Sequence, residues 1–229
     1  MKLLINGDSH TAGAEAVNSY AFAEDDSKYK HLHRQPHPDN LRVSWGRKLG
    51  EMLKLSTTVL AESASSNERI LRTTNEWLNK HGDDVFIIIQ WSTWERQEWL
   101  IDGQYFQVNA SGIDDVPDSH KQKYKEFVAS VDWNRCEQTW HVRIKAFHEH
   151  LTQRGIPHIF FNGNTKFERT KEQYDWGLSY IEPYTGSYHD WLQQNNYQTV
   201  GPDSYHYDVK AHGAWAKHMM RYILDNKLI

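Results

Sequence analysis

Apolar positions along the chain follow two periods. Continuous runs at Lys2 to Asn6, Thr57 to Ala61, Val85 to Ile89 and His158 to Asn162 predict strands. The third, Val-Phe-Ile-Ile-Ile, is of the kind buried on both faces of a parallel sheet. Between them, apolar residues recur at helical spacing: Trp45, Leu49, Met52 and Leu53, then Ile70, Leu71, Trp77 and Leu78 behind Ser66 as an N-cap. A long helix is predicted over Asn134 to Arg154, ended by Gly155 and Pro157, and a last one over Asp208 to Leu224. Strands alternating with helices predict an α/β domain whose mostly parallel sheet is covered on both faces. Two stretches break the pattern. Asp25 to Leu41, rich in His, Pro, Asp and Lys, predicts a surface loop, and about 95–133, with Gly103, Gly112 and Pro117, predicts an insertion or lid. Lys166 to Asn196 is polar and aromatic, with short helical pieces.

Composition narrows the function. With 229 residues, 38% of them hydrophobic, the chain suits one domain over 1–229. A net charge of −4 and a pI near 6.4 give no global attraction for a polyanion, so no nucleic-acid partner is expected. No apolar run approaches the ~18 residues of a membrane span, and Leu3 to Ile5 is too short for a signal-peptide core, so no membrane partner is expected. Cys136 stands alone, which leaves no disulfide framework and no Cys-based metal site. A cytoplasmic protein is expected; a particle-associated one would look the same. The oligomeric state is open.

An open α/β sheet binds its ligand at the carboxyl ends of its strands. Those ends are rich in reactive groups here: Gly7-Asp8-Ser9-His10, Glu62 to Asn67, Gln90 to Arg96 and Asn162-Gly163-Asn164. Near the last helix, Asp203 and His206 stand three residues apart. A serine becomes a nucleophile when a base takes its proton and a third group orients the base, and Ser9, His206 and Asp203 supply those roles. Ser9 is placed where a strand turns into a helix, so its own N–H can face a developing oxyanion.

These residues resemble the SGNH, or GDSL, hydrolase superfamily. Its first block is similar to Ile5-Asn6-Gly7-Asp8-Ser9-His10-Thr11, its second to Ala64-Ser65-Ser66-Asn67-Glu68-Arg69-Ile70, and its last to Asp203-Ser204-Tyr205-His206 followed by His212. The resemblance covers nearly the whole chain and implies a three-layer α/β/α sandwich with a flavodoxin-like sheet of about five strands. It further implies Ser9, His206 and Asp203 as catalytic residues, and Ser9 and Ala64 N–H groups as oxyanion donors. Two departures stand out. Ala64 or a neighbouring Ser replaces the usual Gly of block two, and Gln90-Trp91-Ser92-Thr93-Trp94 lacks the usual Asn of block three, so Ser92 or Thr93 is the expected substitute donor.

Trp91 and Trp94 suit either an aromatic wall for a sugar or acyl group or a sealed core edge. Arg96, with Glu95, suits either a salt-bridged rim or a grip on an anionic substrate; Asn67 joins these as a candidate substrate contact. His31, His33 and His37 read as a solvated loop, His148 and His150 as unable to share a helical face, and His212 as structural support for the last turn. Arg69 reads as a surface or capping residue. The expected activity is hydrolysis of a small or carbohydrate-linked ester without metal or organic cofactor. Alternatives are acyl transfer at the same site and a binding module that kept the fold without the chemistry.

Overall fold

A computed structural model describes residues 1–20, 36–110 and 116–229. Five parallel strands, β1 (Lys2–Asn6), β2 (Thr57–Val59), β3 (Val85–Trp91), β6 (His158–Asn162) and β7 (Tyr180–Ile181), form one sheet in the order β2-β1-β3-β6-β7. Register is set by pairs such as Leu4 with Ile87 and Ile88 with Ile159. This is the flavodoxin-like order.

Alternation along the strands divides the core into two layers. Leu4, Ile87, Ile89 and Phe160 face α4 (Asn67–His81) and α6 (Trp133–Gln153) through Ile70, Leu78, Trp140 and Ile144. Leu3, Ile5, Phe86, Ile88 and Phe161 face the other way, onto α3 (Trp45–Leu53), α7 (Tyr188–Gln194) and α8 (Val209–Asp225). The helix α4 begins where the sequence places its cap: the Ser66 hydroxyl accepts from the Arg69 N–H at 3.2 Å.

Three segments differ from the sequence reading. Within the expected loop at 25–41, residues 21–35 lie outside the described residues, His31 and His33 among them, but Pro38–Val43 forms α2 with Pro38 in its first turn and the His37 ring as cap. The described part of the insertion carries regular elements. It contains a hairpin of β4 (Gln97–Ile101) and β5 (Gln104–Val108), joined by Asp102 and Gly103, both at positive φ, and then α5 (Lys121–Ser130). Its small apolar cluster of Trp99, Phe106, Val108 and Tyr124 is separate from the two main layers. The hairpin is clamped to α4: Arg72 pairs with Glu98 at 2.7 Å, and Gln107 accepts from the Ser66 N–H at 2.8 Å. Finally, β7 adds a two-residue edge strand inside 166–196.

Candidate active site

β1 ends at Asn6, and Gly7 then turns the chain so tightly that a Cβ there would lie 2.5 Å from Thr11 Oγ1 and 2.9 Å from Gln90 Oε1. The short helix α1 (Ser9–Ala12) follows, capped by the Asp8 carboxylate, which accepts from the His10 N–H at 3.1 Å. Gln90, fully buried on β3, holds this turn by accepting from the Asp8 N–H and the Thr11 hydroxyl. Ser9 thus stands at the carboxyl end of the sheet, 8% exposed, and its hydroxyl holds no hydrogen bond among the described residues.

His206 comes to this turn from the far end of the chain, its ring centroid 5.3 Å from that of His10. Its Nδ1 lies 2.8 Å from Glu15 Oε2. The Ser204 hydroxyl donates to the same oxygen and accepts from the His206 N–H at 3.0 Å. Glu15 holds this place with a left-handed backbone, φ 62°. Burial would raise the Glu15 carboxyl, but hydrogen bonds from Ser204 and His206 outweigh it and hold the group below its ordinary value.

Burial also governs the neighbouring rings. His10 is pushed down to about 3 by desolvation, against the opposing pull of Asp8, and His212 is likewise brought down to about 3. Both are neutral at pH 7. His212 Nδ1 accepts from the Trp45 N–H at 3.2 Å, so it ties α8 to the start of α3 and not to the turn before α8. The His10 Nδ1 and the Tyr188 hydroxyl, buried in the same pocket of side chains, have no hydrogen-bond partner among the described residues.

Asp8 is the electrostatic hinge between the strand ends. Its Oδ2 accepts from the Ser92 hydroxyl at 2.9 Å and from Arg96 at 3.2 Å, and Arg96 also donates to Ser92 Oγ at 2.8 Å. Burial works to raise this carboxyl. The Arg96 guanidinium, with hydrogen bonds from the His10 N–H and Ser92, opposes it and holds the carboxyl below its ordinary value.

Several candidates therefore stand elsewhere than expected. Asp203 is exposed and makes no hydrogen bond to His206; the carboxylate on that ring belongs to Glu15. The Ser92 proton is committed to Asp8 and the Thr93 proton to Glu95 Oε1, so neither hydroxyl is left to donate to an oxyanion. Asn67 is wholly buried and spends its amide on the Ser92 backbone, accepting from N–H at 2.8 Å and donating to C=O at 3.2 Å, which ties block two to block three instead of contacting substrate. Trp91 is 0% exposed and packs edge-on against Phe147 and Phe160: it is core, not wall. Arg96 faces inward to Asp8. Arg69 is no surface residue either, since it pairs with buried Glu62 at 2.7 Å and donates to the Leu60 carbonyl.

Two further candidates are placed as follows. Trp94 stacks on Phe167 at 4.5 Å and borders two cavities, of about 400 and 260 Å³. Ala64 adopts φ 63°, the left-handed conformation for which glycine is favoured. The N–H groups of Ala64 and Ser9 are both without a hydrogen-bond partner among the described residues.

Among the described residues no cluster of three or more His, Cys, Asp or Glu is arranged to hold a metal ion, and no helix is long and apolar enough to cross a membrane. Residues 30–156, more than half of the chain, match a family of unknown function, DUF6071. The chain belongs to that family. The stretch that matches DUF6071 spans α2 to α6, with Asn67, Trp94 and Arg96, and leaves Ser9, Glu15 and His206 outside it. No curated protein matches the DUF6071 chain. Among solved structures, it is similar to a G-D-S-L family protein from Desulfitobacterium hafniense DCB-2, at 16% identity and TM-score 0.46, over 96% of this chain and 98% of that one. It is also similar to an acetyl xylan esterase (Est2A) from the rumen bacterium Butyrivibrio proteoclasticus, at 12% identity and TM-score 0.43, over 98% of this chain and 64% of that one.

Proposed function

We propose that the protein is a serine hydrolase of ester bonds, with Ser9 as nucleophile and His206 as base. The observation that carries this reading is the His206 ring, anchored through Nδ1 and lying against the turn that presents an unbonded Ser9 hydroxyl. With Nδ1 engaged, Nε2 is the nitrogen available to take a proton. Ser9 Oγ attacks the acyl carbon as its proton passes to His206, and the carbonyl electron pair moves to oxygen. Collapse of that intermediate breaks the bond to the leaving alcohol, which receives the proton from His206. Water then attacks the acyl-enzyme by the same route in reverse. The unengaged N–H groups of Ser9 and Ala64 are the donors for the oxyanion.

The substrate class is drawn from the surroundings of Trp94. The larger cavity beside it is lined by Trp133, Asn164, Lys166 and Arg169, a mixed aromatic and polar wall that suits a small or carbohydrate-linked ester better than a long acyl chain.

The test is turnover of p-nitrophenyl acetate and butyrate by wild type and Ser9→Ala, together with labelling by a fluorophosphonate. Removal of the nucleophile is expected to lower kcat by about 10⁴-fold or more, with labelling abolished. A folded wild type that neither turns over ester nor takes the label would instead favour a binding module. An added alcohol that diverts the acyl group to a new ester would identify a transferase.

A further inference from the structure

We propose that Glu15, and not Asp203, is the positioning carboxylate for the His206 base; this rests on the Ser9 hydrolase reading above. A histidine that serves as base must present one nitrogen to the nucleophile and have the other fixed as a donor, so that tautomer and ring orientation are set together. Glu15 meets that need. Its Oε2 lies 2.8 Å from His206 Nδ1 and is also the acceptor of the Ser204 hydroxyl, which in turn holds the His206 backbone N–H. Side chain and main chain of the histidine are thus tied to a single oxygen. Asp203 lies on the exposed side of this loop and makes no bond to the ring.

The placement of Glu15 is set by the helix that carries Ser9. Gly13 ends α1 in the left-handed conformation, Ala14 N–H returns to the Ser9 carbonyl at 3.0 Å, and Glu15 comes next with its own φ of 62°. A non-glycine residue held in that region is strained, and the strain persists where surrounding contacts over-determine it. Here those contacts are Ser204 and His206. Nucleophile and orienting acid therefore share one local turn, and the base alone arrives from a distant segment. Glu15 is the carboxylate in contact with the ring that becomes an imidazolium during the reaction. Throughout, the Nδ1 proton stays on His206 and Glu15 stays ionised.

The experiment compares Glu15→Gln, Glu15→Asp, Asp203→Asn and Ser9→Ala by ester turnover, and reads the His206 tautomer by ¹⁵N-histidine NMR, with His206→Asn to assign the signal. Wild type should show the Nδ1–H tautomer. In Glu15→Gln the amide N–H₂ can donate to Nδ1 and stabilise the Nε2–H form, so kcat should fall about 10³–10⁴-fold with KM changed less than threefold. Glu15→Asp should recover part of the loss, and Asp203→Asn should stay within twofold of wild type in both measurements. A Ser9-dependent activity that survives Glu15→Gln with its tautomer unchanged would overturn the assignment, as would its loss in Asp203→Asn. Turnover indifferent to Ser9→Ala would instead remove the hydrolase reading, and the positioning role with it, whatever the NMR shows.

Discussion

Arg96, just past the end of β3, reaches Asp8 at the end of β1, with Nη1 3.2 Å from Oδ2 and Ser92 Oγ within reach of both. The Asp8 side chain is 4% exposed and that of Arg96 19%, so the pair is largely withdrawn from water. Such a pair matters less for its net attraction than for the penalty incurred when one member is removed and the other stays buried and charged.

Arg96→Met should leave an ionised carboxylate buried beside Ser9 without its guanidinium, at a cost of about 3–5 kcal/mol. Asp8→Asn added to Arg96→Met should recover part of that loss, because no lone charge remains. Urea denaturation of the two single variants and the double variant measures both terms. Strictly additive losses would show that Arg96 contributes by packing and not by charge.

Ala64→Gly should stabilise the protein. The left-handed φ of 63° costs an L-residue about 1–2 kcal/mol, and the greater freedom of glycine in the unfolded chain returns about 0.5–1 kcal/mol of this, leaving a gain of about 0.5 kcal/mol. A β-branched residue has no such relief, so Ala64→Val should fall below wild type. Thermal melts of the three proteins should therefore order Gly above Ala above Val, and a Val variant equal to wild type would show that the turn relaxes.

Acid should weaken the fold through His212. Its pKa is about 3 in the folded protein against an ordinary 6.5, so between those values the unfolded chain binds a proton that the folded chain does not. Stability is then fully present above about pH 6.5 and falls by about 1.4 kcal/mol per unit as pH drops toward 3, with His10 acting in the same direction. Asn in place of His212 retains an acceptor for the Trp45 N–H without the titration. Urea unfolding at several values between pH 7.5 and 4.5 should show a slope lower by about one proton in His212→Asn, whereas an unchanged slope would mean that His212 is protonated in the fold.

Periodicity carries most of this architecture into the sequence. Val85 to Ile89 is apolar without interruption because both faces of β3 are covered, and Ser66 marks the start of α4 because its hydroxyl completes the first turn. The β4–β5 hairpin escaped the same reading, although Asp102-Gly103 is the two-residue turn that favours positive φ at both positions. Alternation was faint there, since the hairpin buries only a small cluster of its own. In the site, Ser9 and His206 were legible as residue types at strand and helix boundaries. Glu15 was not, because its role depends on a residue 191 positions away and on a backbone angle that no local pattern announces. Of the two readings open for Trp91 the structure favours the core one, and Asn67 turns its amide to the Ser92 backbone, a pairing across 25 positions that residue type alone does not announce.

The 191-position span between Glu15 and His206 also sets a chronology for the chain. Glu15 lies a few residues beyond Ser9 on the same turn, so that half of the arrangement can form as soon as β1 and α1 are in place. The histidine is delivered by the segment leading into α8, which must first settle on α3 and the sheet. Closing so long a loop is entropically costly and belongs among the slower steps of folding. A chain stalled before α8 docks would carry Ser9 without the His206 ring and, on the hydrolase reading, would turn over no ester, so the meeting of Glu15 and His206 serves as an internal signature that folding has finished.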